Sequence, residues 1–219
     1  SMKKVYVLLA DGFETIEATA PIDILRRCKV DVTTVSISGS ITVICSHHIQ
    51  MKADTTLYDI AAEKAGNAIR STDTEGNNYC SDLLSDGNMI VLPGGYPGYV
   101  NLMNSDTVGR IIKKYYQEGK WIAAICGAPA VLAKNKIAAG SHITCHSSVI
   151  DKMGDYIYTG RPVEQDGNLI TGIGAGLSID FAIRLARVLT DEGTVELLKK
   201  QMEIRTCNTV DASSSTRTE

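Results

Sequence analysis

The sequence predicts an α/β fold in which an open, mostly parallel sheet is sandwiched by helices. Three short segments are apolar almost without a break, at residues 4–9, 89–92 and 121–125, as in strands that are buried on both faces. Each is followed by glycine or polar residues and then by apolar residues at helical spacing, an alternation typical of parallel βαβ units. The chain has 219 residues, of which 44% are hydrophobic and 21% charged, so it is long enough to bury a core of this kind.

The first half of the chain begins with the strand over residues 4–9. A helix follows, because Ile16, Ala20 and Ile24 recur at helical spacing. Glu17 lies in its first turn, where the helix dipole favours an acid. Further strands are predicted from alternating or β-branched residues at residues 30–36, 43–45 and 49–53.

The second half adds the buried strands at residues 89–92 and 121–125, separated by an amphipathic helix that begins near Ser105. Another helix follows the second of these strands from Gly127. The remaining predicted elements are strands at residues 143–145 and 169–171, a helix capped by Ser178, and a last helix over residues 195–202.

We predict one domain over residues 1–205. Residues 64–88 are crowded with Ser, Thr, Asp, Asn and Gly, which predicts a polar insertion or long loop at the periphery of the domain. Residues 206–219 form a polar tail, and we expect this tail to be disordered.

Charge and hydropathy exclude several classes of partner. The net charge is −3, whereas a nucleic-acid-binding protein needs a basic surface to displace phosphate counterions. The same charge argues against binding to an anionic membrane. The apolar run Val5–Ala10 is too short to span a bilayer. We therefore expect no nucleic-acid or membrane partner and a cytoplasmic location.

Among the six cysteines, none of which forms a CxxC pair, Cys126 stands out. A predicted strand leads directly into it, and Gly127 and Ala128 then open a helix, which is the layout of a nucleophile elbow. The helix N-terminus favours a thiolate, so we expect the pKa of Cys126 to be lowered. The alternative is a small cysteine that is simply buried at the end of a strand.

Four predicted segments deliver polar groups to the same edge of the sheet. Ligands of open α/β sheets bind beyond the carboxyl ends of the strands, and Glu17, Cys126 and His146 are all expected there. The N–H groups of Gly94 and Gly95 are candidates for an oxyanion hole. The alternative for His146 is a histidine at the end of a strand, bonded to a backbone carbonyl. The alternative for Glu17 is an acid that only stabilises the helix dipole.

Six short motifs also follow one another along the chain. They are LADGFETIE at Leu9–Glu17, PIDILRR at Pro21–Arg27, VLPGG at Val91–Gly95, AAICGAP at Ala123–Pro129, TCH at Thr144–His146 followed by DKM, and TGIGAG at Thr171–Gly176. In this order they resemble the DJ-1/PfpI superfamily, and within it the DJ-1 and ThiJ branch. The resemblance runs from the first strand to the last helices and leaves out residues 64–88 and the tail.

The resemblance implies a flavodoxin-like fold and a role for each matching residue. Cys126 becomes a nucleophilic, oxidation-sensitive cysteine, and Glu17 becomes a protonated acid that hydrogen-bonds to its thiolate. The pKa of Glu17 should therefore be raised by the thiolate and by burial. His146 becomes a histidine beside Cys126 that assists proton transfer.

Backbone groups complete the site that the resemblance implies. Gly95 and Gly127, together with Gly94, are assigned to oxyanion binding. Gly174 and Ala175, in the last motif, are assigned to substrate binding. No metal and no cofactor is expected.

The function implied is glutathione-independent glyoxalase or deglycase chemistry on a small dicarbonyl, such as the conversion of methylglyoxal to lactate, by a homodimer. One alternative is a non-enzymatic redox sensor or chaperone of the oxidative-stress response. Another is a ThiJ-like protein associated with thiamine biosynthesis. The residues that both main hypotheses need are the same, so the sequence does not decide between them.

Two positions depart from the family pattern. The protease branch has a histidine after the cysteine, where this chain has Gly127, so proteolysis is disfavoured. DJ-1-like members have an arginine after an early Cys-Ser pair, where this chain has His47. The second departure leaves open how the pocket binds an anion.

Overall fold

The computed structural model describes residues 2–70 and 82–206. Most of the tail predicted at residues 206–219 lies outside this range, as do residues 71–81 of the predicted insertion. The strands are β1 (Lys4–Leu9), β2 (Asp31–Ser36), β3 (Thr42–Ile44), β4 (Gln50–Lys52), β5 (Thr55–Thr56), β6 (Met89–Leu92), β7 (Trp121–Ile125), β8 (His142–Ile143), β9 (Ile157–Tyr158), β10 (Val163–Asp166) and β11 (Leu169–Gly172). The α-helices are α1 (Thr15–Arg27), α2 (Leu57–Arg70), α3 (Gly98–Met103), α4 (Asp106–Gln117), α5 (Pro129–Lys134), α6 (Ser178–Leu189) and α7 (Glu192–Gln201).

Seven of these strands form one sheet in the order β10-β11-β7-β6-β1-β2-β5. All neighbours are parallel except β10, which pairs antiparallel with β11. The run β2-β1-β6-β7-β11 has the strand order of flavodoxin-like folds. The predicted fold class is therefore confirmed.

Both faces of the sheet are buried at its centre, which explains why strands β1, β6 and β7 are almost continuously apolar. In β1, Val5, Val7 and Leu9 point into a core layer shared with α1 and α6. Tyr6 and Leu8 point into the opposite layer, shared with α4 and α5. This alternation follows from the two-residue period of a strand. In the part of the chain described, no helix has both the length and the apolar character needed to cross a membrane.

The prediction of a loop over residues 64–88 is wrong at both ends of this segment. Helix α2 continues to Arg70, and Leu83 and Leu84 are both buried in the core. The Tyr115 hydroxyl donates a hydrogen bond to the carbonyl oxygen of Leu84. These two core leucines were not predicted because the segment around them is polar. Their burial shows that at least the end of this segment is part of the fold.

Truncating Leu83 should therefore destabilise the protein. It is 2% exposed, and we expect Leu83→Ala to lower the free energy of unfolding by about 2–5 kcal/mol, since a buried leucine leaves a cavity. Leu197 is 57% exposed, so Leu197→Ala is the matched control, with a change of about 0.5 kcal/mol or less. Urea unfolding measures both variants, and equal midpoints would contradict the packing of Leu83.

Candidate active site

Cys126 lies immediately after β7, at the carboxyl edge of the sheet. Its backbone is in the left-handed region, at a φ of 65°, which is uncommon for a residue other than glycine. Its N–H donates to the carbonyl of Gly172 at 2.9 Å, and its own carbonyl accepts the N–H of His146 at 2.8 Å. These bonds fix the sharp turn expected of a nucleophile elbow.

Cys126 is also the most accessible cysteine in the described part of the chain. Cys126 is half-buried, whereas the other described cysteines are buried, namely Cys28, Cys45 and Cys145. Cys80 and Cys207 lie outside the described residues. Accessibility therefore singles out Cys126 among the four thiols that can be compared.

Glu17 is completely buried in the first turn of α1. Its Oε1 accepts the N–H of Gly94 at 3.0 Å. Its Oε2 is buried without a nitrogen or oxygen partner among the described residues, and the Cys126 thiol hydrogen-bonds to the carboxyl. The predicted pairing of acid and sulphur is thus present in the structure.

Gly94 has a different role from the one predicted. Its N–H is occupied by Glu17, so it positions the acid and does not offer a donor to an oxyanion. A Cβ at this position would lie 2.7 Å from Oε1 of Glu17 and 2.8 Å from Cβ of Cys126. Only glycine fits between the two reactive side chains. The N–H groups of Gly95 and Gly127 instead donate to the sulphur of Cys126, where we predicted an oxyanion site.

The pKa of Glu17 is raised to about 7, first by burial and then by the negative charge of Glu14. The hydrogen bonds from the Cys126 thiol and from the N–H of Gly94 oppose this rise. The predicted rise in pKa and the part of burial in it are confirmed, but Cys126 lowers the pKa of Glu17 where we predicted that it would raise it. The carboxyl therefore exchanges its proton near neutral pH, which suits a general acid or base.

The expectation of a lowered pKa for Cys126 is wrong. Burial, followed by the charge and the hydrogen bond of Glu17, raises the pKa of Cys126 to about 12, while the N–H groups of Gly127 and Gly95 lower it. A carboxylate and a thiolate this close repel each other, so between these two pKa values the pair holds one shared proton. A thiolate forms here only as the proton passes to Glu17.

His146 is placed beside Cys126 by its main chain. Its ring is exposed, and Nδ1 accepts the N–H of Ser148 at 3.1 Å, so the proton of the neutral ring is assigned to Nε2. The residue caps the 3-10 turn Ser147–Lys152. Its predicted part in proton transfer stays a prediction.

The two residues predicted to bind substrate lie on the neighbouring loop. Gly174 is buried, and a Cβ there would lie 3.7 Å from Cδ2 of His146. The carbonyl of Ala175 accepts the Ser178 hydroxyl at 2.8 Å. Ser178 is the first residue of α6, so the prediction that it caps this helix is wrong. A substrate contact at Gly174 or Ala175 stays a prediction.

A cluster around Glu14 was not predicted. Oε2 of Glu14 lies 3.2 Å from Nε2 of His47 and accepts the Ser46 hydroxyl at 3.0 Å. His47 thus contacts the acid whose charge raises the pKa of Glu17. The sequence did show a histidine, His47, at the position where the family has an arginine. Its contact with Glu14 could not be predicted from the spacing of the two residues.

Two tyrosines beside the site also escaped prediction. Tyr99 packs on Gly127, since a Cβ on that glycine would lie 2.5 Å from Cδ1 of the tyrosine ring. Tyr96 and Tyr99 make an edge-to-face contact with ring centroids 6.1 Å apart and an interplanar angle of 60°. The signal available was the run Gly95-Tyr-Pro-Gly-Tyr99 directly after a buried strand.

Within the described ranges, no group of three or more His, Cys, Asp and Glu side chains is arranged to hold a metal ion. Both acids of the site already accept hydrogen bonds, Glu17 from Gly94 and Glu14 from Ser46. The chemistry that the site offers from its own groups is nucleophilic addition, proton transfer and hydrogen bonding to a developing anion.

Known proteins with related sequences support the resemblance. The chain matches the model of the DJ-1/PfpI family over residues 3–188. It is 35% identical over 192 residues to the Parkinson disease protein 7 homolog of Danio rerio, an alignment that covers 85% of this chain and 89% of that protein. It is 27% identical over 206 residues to the glutathione-independent glyoxalase DJ-1 of Schizosaccharomyces pombe, covering 93% and 100% of the two chains.

The fold agrees with these matches. The crystal structure of Drosophila melanogaster DJ-1beta superposes with a TM-score of 0.80 at 31% identity, covering 94% of this chain and all of that one. The match to the family model spans the whole seven-stranded sheet and the turn that carries Cys126. This chain therefore belongs to the DJ-1/PfpI family.

Proposed function

We propose that this protein converts a small dicarbonyl, such as methylglyoxal, to the corresponding hydroxy acid without glutathione, using Cys126 as nucleophile. The observation that carries the proposal is the pair formed by an accessible thiol and a fully buried acid, Glu17, whose pKa lies near 7. The S. pombe relative that bears the name of such a glyoxalase adds support. Deglycase chemistry would use the same groups.

In the first step, the sulphur of Cys126 forms a bond to the aldehyde carbon, and the carbonyl electron pair moves to oxygen. The thiol proton passes to the ionised Glu17, which already hydrogen-bonds to that thiol. The N–H groups of Gly95 and Gly127 now donate to the sulphur, so an oxygen bound next to that sulphur comes within reach of the same donors. Protonation of this oxygen gives a hemithioacetal.

In the second step, a base removes the proton from the former aldehyde carbon and a proton is returned to the adjacent carbon. Glu17 suits this transfer because its pKa near 7 favours both protonation states at neutral pH, and His146 is the second candidate. The product is a thioester of the hydroxy acid. Water then breaks the carbon–sulphur bond and releases lactate and the free thiol.

The test is the formation of lactate from methylglyoxal without glutathione. Proton NMR of the reaction should show lactate increasing as methylglyoxal is consumed. Protein in which Cys126 has been carboxamidomethylated serves as the control and should form none. Loss of methylglyoxal without lactate would show only adduct formation with lysine and arginine side chains, and the proposal would then be abandoned.

A redox sensor is the second candidate function, and one observation favours it. Cys126 is the accessible thiol among the four described, and the carboxyl of Glu17 that hydrogen-bonds to it has an Oε2 with no nitrogen or oxygen partner among the described residues. A protonated Glu17 could donate to an oxygen of a sulfinate at Cys126. The homodimer and the cytoplasmic location stay predictions under either function.

A further inference from the structure

The turn that follows β6 places two tyrosines next to the glycines that surround the sulphur of Cys126. Tyr96 comes directly after Gly95, whose N–H donates to the sulphur of Cys126. Tyr99 packs on Gly127, the second donor to that sulphur. Each tyrosine is therefore a direct neighbour of a glycine whose N–H donates to the reacting sulphur.

The two rings differ in exposure in a way that fits a binding surface. Tyr99 is half-buried, and its pKa is raised by burial and then by the nearby charges of Tyr96 and Cys126. Tyr96 is 71% exposed and makes an edge-to-face contact with Tyr99. An exposed ring that packs on a second ring near a reactive thiol is well suited to stack against a flat group of a bound molecule.

Resting on the function proposed above, we infer that Tyr96 and Tyr99 form an aromatic wall that selects α-oxoaldehydes with an aromatic substituent over those with a methyl group. The aldehyde carbon of such a substrate bonds to Cys126, and its ring lies against Tyr96. Methylglyoxal has no group large enough to reach the wall. The preferred substrate class is therefore the aryl glyoxals, of which phenylglyoxal is the simplest.

The selectivity can be measured without turnover by alkylating Cys126. In both phenacyl bromide and bromoacetone, the sulphur bonds to the CH2 carbon and displaces bromide, and the two reagents differ in carrying a phenyl or a methyl group. The rate of alkylation by phenacyl bromide is divided by the rate with bromoacetone, and both rates are followed by mass spectrometry of the Cys126 peptide. This ratio should fall about tenfold in Tyr96→Ala, because one aromatic contact is lost. Tyr96→Phe keeps the ring and should keep the ratio. Tyr58 is 72% exposed on α2, so Tyr58→Ala is the matched control and should also keep it.

An unchanged ratio in Tyr96→Ala would overturn the aromatic wall, whether or not the protein is an enzyme. The turnover ratio of phenylglyoxal to methylglyoxal should fall in parallel with the alkylation ratio. If the alkylation ratio falls while neither dicarbonyl is consumed by the wild type, the wall stands and the proposed function fails. A fall of the same size in Tyr58→Ala would show a general loss of structure and would also overturn the inference.

Discussion

Replacing Cys126 with serine should abolish the conversion of methylglyoxal to lactate, with a fall in kcat/KM of about three orders of magnitude or more. Serine has a far higher pKa than a thiol, and Glu17, with a pKa near 7, is too weak a base to activate a hydroxyl group. The side chains are similar in size, so the fold should be retained. Turnover is measured as lactate formed, and folding by circular dichroism.

The control for this variant removes another thiol. Cys28 is buried in the layer shared by α1 and α6, away from the turn that carries Cys126. Cys28→Ala should keep the activity, because Cys28 has no part in the proposed chemistry. Near-wild-type turnover in Cys126→Ser would show that this sulphur is not the nucleophile.

Replacing Glu17 with glutamine should lower kcat/KM about 10²–10⁴-fold, the contribution typical of a general acid or base. Glutamine keeps an oxygen that can accept the N–H of Gly94, so the turn should hold its shape. In the wild type, the raised pKa means that Glu17 keeps its proton up to about pH 7. Activity should therefore rise as the pH increases through 7, because only the ionised carboxyl accepts the thiol proton. This inflection should be absent in Glu17→Gln.

Oxidation gives a second measure of the same pair that does not require turnover. Graded peroxide should oxidise Cys126 before Cys28, Cys45 and Cys145, because it is the accessible thiol among these four. The product should be mainly the sulfinate, since a protonated Glu17 can donate to its oxygen. Glu17→Leu removes this donor and should shift the products, while Glu17→Gln should keep part of the effect. Peptide-resolved mass spectrometry reads out each site. Earlier oxidation of Cys28, Cys45 or Cys145, or unchanged products in Glu17→Leu, would argue against the pairing.

Most of the sheet could be predicted from the sequence because its strands are buried on both faces. The predicted bounds of β1, β6 and β7 agree with the structure, since a continuous apolar segment ended by polar or glycine residues has few other interpretations. Strand β10 was missed because it is a polar strand at the edge of the sheet. Helix α2 was not predicted at all, and its second half enters a stretch of polar composition.

The residues of the candidate site could be predicted from the sequence, but the hydrogen bonds between them could not. Topology brings the ends of parallel strands together, which is why Glu17 and Cys126 could be expected at the same edge of the sheet. Their pairing followed from the family resemblance. The use of Gly94 as the donor to Glu17 depends on a contact of 3.0 Å. The pKa of Cys126 depends on burial and on the charge state of its partner. Neither quantity is encoded by residue type and spacing.

The left-handed backbone at Cys126 also sets a conflict between activity and folding stability. A residue with a Cβ costs about 1–2 kcal/mol in this conformation relative to the right-handed one, and glycine would relieve most of that cost. Glycine, however, has no sulphur. Selection of variants for heat resistance alone would therefore favour the loss of Cys126, so a thermostable form of this protein has to be selected with its thiol chemistry assayed in every round.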